Sequence, residues 1–117
     1  MTPKDTVQSY FGRLTQRDDW PALFTDSVVF TSFTSPVKRV SGKAAFLEST
    51  KRFYSMIAAV DVRDLLVDGD KVCALTSYSL KTPAGAEIKS DVAELFQVRN
   101  GRITAFDIYF DSAPFPK

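Results

Sequence analysis

The second half of this sequence contains four long runs of strand-forming residues separated by three short turns. Asn100-Gly101, the dipeptide that most strongly favours a two-residue hairpin, joins the last two runs. Turn residues at 68–70 and 82–85 separate the others. Connections this short place consecutive strands side by side, so the pattern predicts an antiparallel meander. The predicted strands cover residues 60–67, 71–81, 87–99 and 102–111.

The start of the chain is predicted to be a helix. Thr2 can cap it, Pro3 fits its first position, and Asp5 stands where the acid of a capping box belongs. Its apolar residues recur at the i, i+3, i+4 and i+7 spacing that places them on one helical face: Val7, Tyr10, Phe11 and Leu14.

Two further helices and one strand are predicted before the meander. A short helix begins around Trp20, and a longer one opens at Ser41-Gly42-Lys43. Residues 26–33 have the composition of a strand, and residues 34–40 are predicted to be a loop or an irregular edge because they contain Pro36. Helices that come first, followed mostly by strands, indicate an α+β fold in one domain over residues 1–117.

Missing residue types narrow the chemistry. The chain has no histidine and one cysteine, Cys73. Ser-His-Asp triads, Cys-His dyads and His-ligated metals are therefore excluded, and a metal site would need oxygen ligands alone. No acidic calcium loop and no glycine-rich phosphate loop occurs, so the sequence predicts neither a metal nor a cofactor. A single cysteine cannot form an internal disulfide, which favours a cytoplasmic location.

Charge and hydropathy exclude other partner classes. The net charge is +1, from 15 basic and 14 acidic residues, and no basic stripe appears, so we expect no nucleic-acid partner. The longest apolar run, residues 56–60, is far shorter than the roughly 20 residues of a membrane span. The first residues lack the apolar region of a signal peptide.

Strand parity assigns the two faces of the predicted sheet. In the last strand, the face expected toward the helices carries Thr104, Phe106, Ile108 and Phe110. The other face carries Ala105, Asp107, Tyr109 and Asp111, and is expected to contact solvent or another subunit.

Glu94 is the anomaly in this pattern. It shares the inward face of its strand with Val92, Phe96 and Val98. A carboxylate among apolar side chains is unfavourable unless it is paired, hydrogen-bonded or protonated. Desolvation would raise its pKa and make it a candidate acid or base near neutral pH. A titration that gave the pKa of a solvated glutamate would contradict this hypothesis.

The order of these segments resembles the nuclear transport factor 2-like superfamily, and in particular its SnoaL-like group. The resemblance covers nearly the whole chain and rests on residues 7–20, 41–46, 96–103 and 108–111. It implies a cone-shaped half-barrel, in which a curved antiparallel sheet packs on three helices from the first half of the chain. It also implies a pocket between the concave face and the helices, and a homodimer formed through the outer face.

Ketosteroid isomerases belong to that superfamily, and their helix motif is similar to Gln8, Tyr10, Leu14 and Asp18 here. This resemblance places Tyr10 at their oxyanion tyrosine and Glu94 at their strand acid. Their base position falls on or near Thr31, and threonine cannot serve as that base.

The end of the last strand, Ile108-Tyr109-Phe110-Asp111, resembles the corresponding motif of limonene epoxide hydrolases. Their catalytic aspartate position falls on Ile108, so hydrolysis by their mechanism is not expected.

The sequence therefore predicts a small-molecule-binding domain whose ligand is apolar or amphipathic. If the chain is an enzyme, we expect cofactor-free isomerase-type or lyase- or hydrolase-type chemistry, with Glu94 as acid or base and Tyr10 as oxyanion donor. The other residues predicted to line the pocket are Thr31, Phe33, Phe53, Phe96, Phe106, Ile108 and Phe110.

The alternative is a non-catalytic dimeric module with a filled interior. A ligand-sized void of at least about 300 Å³ would favour the first interpretation, and a packed interior the second. Core roles for Tyr10 and Glu94 remain open at this stage.

Overall fold

The structure, a computed structural model, describes residues 2–36 and 38–115. Two α-helices, one short 3-10 helix and six strands make up these residues. In chain order they are α1 (Pro3–Gln16), the 3-10 helix (Trp20–Leu23), β1 (Phe24–Ser32), β2 (Arg39–Ser41), α2 (Lys43–Met56), β3 (Ile57–Asp68), β4 (Lys71–Lys81), β5 (Glu87–Arg99) and β6 (Arg102–Phe110).

The helix starts follow from local chemistry. Thr2 accepts a hydrogen bond from the Asp5 backbone, and the Asp5 side chain accepts one from the Thr2 backbone, so the predicted capping box forms. Gly42 precedes α2 with φ of 93°, a conformation that favours glycine. The predicted helix around Trp20 is a single 3-10 turn.

The six strands form one curved, open sheet in the order β2-β1-β6-β5-β4-β3. The predicted meander from β3 to β6 is antiparallel throughout. β1 differs, because it pairs with β6 in parallel. β1 therefore lies between its sequence neighbour β2, with which it pairs antiparallel, and the last strand β6. The α+β class and the helix-packed curved sheet predicted from the sequence are confirmed, and the sheet is mixed.

A β-bulge changes the predicted parity at the start of β6. Gln97 pairs with Ala105 and Val98 with Ile103, which leaves Thr104 as the extra residue. Ile103 is fully buried as a result, while Thr104 is only partly buried. The assignment of Thr104 to the inward face was therefore incomplete, since simple alternation fails across the bulge.

The core lies between the sheet and the helices. α1 packs across β3, β4 and β5, and α2 packs across β1 and β2. The face of the sheet toward these helices is called the inner face below, and the opposite one the outer face. Within the residues described, no helix is both long and apolar enough to cross a membrane.

Candidate functional site

Glu94 lies on the inner face near the centre of the sheet and is only 2% exposed. It pairs with Ala74 on β4 and with Ile108 on β6. The inward position predicted from strand parity is confirmed.

Two hydroxyl groups of β4 bind the carboxyl group of Glu94. The Tyr78 hydroxyl donates toward Oε1 at 2.8 Å and Oε2 at 2.9 Å. The Thr76 hydroxyl donates to Oε2 at 2.7 Å. Both donors are neutral, so the buried carboxylate has hydrogen bonds but no cationic partner in these contacts. Every buried polar side-chain atom among the described residues has a hydrogen-bond partner.

Burial is the main influence on the pKa of Glu94. Desolvation raises its pKa from 4.5 to about 7, although the hydrogen bonds from Thr76 and Tyr78 act in the opposite direction. The shift has the direction predicted from the sequence. A carboxyl group with this pKa is present in both protonation states near neutral pH, which suits it to donate or accept a proton.

Tyr10 is fully buried on α1, but it does not bond to Glu94. Its hydroxyl lies 2.6 Å from the hydroxyl of Tyr54 on α2, and either one can be the donor. Burial raises the pKa of both tyrosines above its ordinary value. Tyr78, not Tyr10, occupies the hydrogen-bonding position beside the carboxyl group of Glu94.

Sequence reasoning missed Thr76, Tyr78 and Tyr54. The first two share the parity of Val72, Ala74 and Leu80, all of which are buried. Applying the alternation rule to β4 as well as to β5 and β6 would have placed both hydroxyls on the inner face. Tyr54 lies on α2, and nothing local in the sequence indicated its hydrogen bond with Tyr10 on α1.

The predicted pocket residues on the inner face divide into two groups. Phe96 and Phe106 are buried and stack on each other with ring centroids 4.6 Å apart, and Tyr10 packs edge-on against both. They belong to the filled core. Phe53, Ile108 and Phe110 are half-buried and border the core from α2 and β6. The rings of Phe53 and Tyr78 pack with their centroids 5.5 Å apart.

Thr31 and Phe33 are not on the inner face, which corrects their predicted placement. β1 buries Val28, Phe30 and Ser32, so Thr31 points outward, level with Asp107 of β6. Phe33 stacks on Tyr109 of the outer face with ring centroids 4.5 Å apart. Strand parity carries both away from Glu94, and the position matched to a catalytic base cannot reach it.

The interior around Glu94 is packed. Two surface depressions, of about 490 and 380 Å³, lie elsewhere, one beside Pro3 and Gly101 and the other between Arg17 and Lys81. Neither is lined by Glu94, Thr76 or Tyr78. Over residues 2–36 and 38–115, no three His, Cys, Asp or Glu side chains gather as metal ligands would.

Comparison with protein families gives a match over most of the chain. The model of the SnoaL-like domain matches residues 7–106. No protein of the curated set matches the sequence.

Solved structures share the fold at low sequence identity. An LEH-like epoxide hydrolase from M. tuberculosis is 22% identical, with 94% of this chain and 83% of that one covered and a TM-score of 0.78. The epoxide hydrolase/cyclase-like enzyme SalBIII, which acts in pyran ring formation in salinomycin, is 16% identical, with 96% and 92% covered and a TM-score of 0.84. An NTF2-like protein of unknown function from Cytophaga hutchinsonii is 19% identical, with 97% and 94% covered and a TM-score of 0.75. These similarities concern the fold alone; the match to the SnoaL-like domain model is what confirms the group identified from the sequence.

Proposed function

We propose that this chain, which belongs to the SnoaL-like domain family, binds a small organic molecule between its sheet and helices and that Glu94 exchanges a proton with that molecule. The observation that carries the proposal is a fully buried carboxyl group held by two hydroxyls and no cation. A purely structural core has no need of such a group, because apolar side chains of similar volume fill space without desolvating an acid. Strongly perturbed acids cluster at functional sites.

The ligand is expected to be apolar or amphipathic. The half-buried side chains that border the site are Phe53, Ile108 and Phe110, none of them charged. Glu94, Thr76 and Tyr78 are each only 2% exposed, and this packing is what the non-catalytic alternative predicts. The ligand-binding proposal therefore requires the bordering side chains to move when a ligand enters, so that the site opens on binding.

The reaction expected at this site is cofactor-free acid/base chemistry. As a neutral acid, Glu94 can donate a proton to a ligand oxygen, and as a carboxylate it can remove one. An isomerase-type reaction requires both steps, the removal of a proton from one atom of the ligand and its donation to another. Two structural relatives carry epoxide hydrolase in their names, but Ile108 cannot replace the aspartate of that mechanism. The alternative lyase- or hydrolase-type reaction would therefore depend on Glu94.

A thermal-shift screen tests the ligand part of the proposal. Cyclic ketones, epoxides and phenols would be added to the wild-type protein and to Glu94→Gln at pH 5.5 and 8.5. We expect at least one compound class to raise the Tm of the wild type in a pH-dependent way, and the Glu94→Gln variant to lose that pH dependence. Asp91→Asn, on the outer face of the same strand, is the control. Equal binding to Glu94→Gln at both pH values would remove Glu94 from the site.

The homodimer predicted from the resemblance belongs to the same proposal. Adjacent strands of the outer face align Leu66, Cys73 and Leu95 in one row, and Leu75, Ala93 and Tyr109 in the next. Leu66 and Tyr109 are each 55% exposed, while Leu75 and Leu95 are about two-fifths exposed. Contiguous exposed apolar side chains on a sheet favour burial against another surface. We take a second copy of this chain as the occupant, in line with the sequence-based prediction.

Sedimentation equilibrium tests the dimer. The wild type is expected to be dimeric at micromolar concentration, and Leu95→Lys, which places a cation in the centre of the patch, to be monomeric. Lys89→Glu, on the same face toward the end of β5, is the charge control. A monomeric wild type would contradict the dimer but leave the Glu94 proposal unaffected.

The proposal also covers the partner class and the cellular location. The partner is a small molecule, with no role for nucleic acid or membrane. Cytoplasmic location is proposed because the single thiol of Cys73 is free. Should the filled interior fail to open to any ligand, the non-catalytic dimeric module would be the better description.

A further inference from the structure

The hydroxyl of Thr76 has two acceptors within reach but only one proton. It lies 2.7 Å from Oε2 of Glu94 and 3.2 Å from the backbone carbonyl oxygen of Val92. Thr76 and Val92 are direct partners across β4 and β5, and Glu94 is the next inward residue along β5. Rotation about one side-chain bond is therefore enough to turn the proton from one acceptor to the other.

Each protonation state of Glu94 needs a different hydrogen bond at Oε2. The carboxylate accepts only, so Thr76 must donate to it. A carboxylic acid protonated at Oε2 needs an acceptor there, and the Thr76 oxygen at 2.7 Å is nearer than the Tyr78 oxygen at 2.9 Å, which also lies beside Oε1. Once that oxygen accepts, its own proton is free to turn to the Val92 carbonyl. Oε1 keeps the hydrogen bond from Tyr78 in both states.

The other groups facing Glu94 do not change charge with it near neutral pH. The tyrosines that interact electrostatically with Glu94 come from three elements, Tyr10 on α1, Tyr54 on α2 and Tyr78 on β4. Burial raises the pKa of each above its ordinary value, and the charge of Glu94 adds to this effect. Its cross-strand partners, Ala74 and Ile108, are apolar. When Glu94 gains or loses a proton, only its hydroxyl partners can therefore rearrange their hydrogen bonds to match.

We propose that Thr76 is a positioning residue whose hydroxyl turns as Glu94 gains and loses its proton. It donates to the carboxylate in one state, and in the other it accepts from the carboxylic acid and donates to the carbonyl of Val92. No bond of Thr76 is made or broken, and the proton that Glu94 gains or loses is exchanged with the ligand or with water. This inference rests on the proposed role of Glu94 in proton exchange. It explains how a buried acid can cycle between two states without leaving a polar atom unpaired.

Carbon-13 NMR of the protein without ligand tests the switch. The side-chain carboxyl carbon of Glu94 and the backbone carbonyl carbon of Val92 would be followed from pH 4.5 to 9. We expect the Val92 resonance to shift with the same midpoint as Glu94, because its carbonyl gains a hydrogen bond when Glu94 is neutral. Thr76→Ser should retain this linked shift and Thr76→Val should lose it. The carbonyl carbon of Val98, on the same strand, is the control.

Stability supplies a second readout. Thr76→Val should lower the Tm by roughly 4 °C or more both below and above the Glu94 midpoint, since it loses one hydrogen bond when Glu94 is a carboxylate and two when Glu94 is protonated. Thr76→Ser should restore most of the loss. A loss confined to the alkaline side would overturn the switch, because Thr76 would then serve the carboxylate alone.

The two proposals fail in different ways. If Glu94 titrates while Val92 does not follow, the Thr76 inference is wrong and the proposed function is unaffected. If Glu94 shows no midpoint near neutral pH, the proposed proton exchange itself is contradicted.

Discussion

The inner and outer faces of one sheet use the same strands in opposite ways. On the inner face, Phe96 and Glu94 are both removed from water, the one by aromatic packing and the other with hydroxyl partners. On the outer face, Leu95 lies between them in sequence and is 39% exposed. Adjacent residues of one strand therefore experience opposite environments. Position in the alternation, more than hydrophobicity, decides whether a residue of this sheet supports the core, a site or a surface.

The largest expected contrast is between Phe96→Ala and Leu95→Ala. Phe96 is fully buried among aromatic rings, so its truncation should lower the free energy of unfolding by about 3–5 kcal/mol. Leu95→Ala should cost less than about 1 kcal/mol in the monomer. Urea denaturation at low protein concentration measures both. Similar losses at the two positions would mean that the outer face is as well packed as the inner one.

Glu94→Gln should change how stability depends on pH. The pKa of Glu94 is about 7 in the folded protein and near 4.5 when solvated, so the folded state holds more protons between these values. Stability therefore falls as pH rises from about 4.5 to about 7, by roughly 3 kcal/mol, and this loss persists at higher pH. The variant should lack this fall and be the more stable protein at pH 8.5.

Denaturant unfolding at pH 4.5, 6 and 8.5 measures the effect on each protein. Glu87→Gln, at the exposed end of the same strand, is the matched control and should keep the dependence of the wild type. A wild type whose stability is flat from pH 4.5 to 7 would show that Glu94 titrates as a solvated acid.

A smaller contrast comes from removing one hydroxyl on the helix side of the sheet and one on the outer face. Tyr54→Phe deprives the buried Tyr10 hydroxyl of its partner and should cost about 1–2 kcal/mol. Tyr109→Phe removes an exposed hydroxyl and should lie within about 0.5 kcal/mol of the wild type. Differential scanning calorimetry compares them. Equal effects would indicate that the Tyr10–Tyr54 hydrogen bond contributes nothing net.

The smallest effect concerns the aromatic pair of the outer face. Phe33 and Tyr109 stack with an interplanar angle of 4°, and a double-mutant cycle to alanine should give a coupling of about 0.5–1.5 kcal/mol. Zero coupling would mean that the stack does not hold the end of β1 against β6. Thr31 and Tyr109, which share the outer face without stacking, provide the control cycle.

Much of the secondary structure was predictable because its signals are local. The capping box at Thr2 and Asp5, the turn at Asn100-Gly101 and the bounds of β4 and β5 follow from residues close together in the chain. The inward position of Glu94 followed from alternation along a single strand. Thr104 was misassigned because a bulge depends on the partner strand, which local alternation does not contain.

The candidate site was predictable only in part. Glu94 was found because an acid in an apolar row is visible in the sequence. Its hydrogen-bond partners were not predicted. Tyr78, on the neighbouring strand β4, binds the carboxyl group, whereas Tyr10 bonds to Tyr54 on α2. Thr31 was assigned to the pocket by the family resemblance and Phe33 as a large apolar side chain, while the parity of β1 turns Thr31 outward and Phe33 stacks on Tyr109 of the outer face.

By itself, the sequence determined the α+β class, the helix starts, the meander and the burial of one carboxyl group, because each depends on periodicity and turn chemistry over a few residues. The tertiary structure alone decided that β1 pairs in parallel with β6, that Thr76 and Tyr78 hold Glu94, and that the interior around it is packed. These features depend on the distances between side chains far apart in the chain. Such distances are set by the twist of the sheet and the packing of the helices on it, and no local pattern records them.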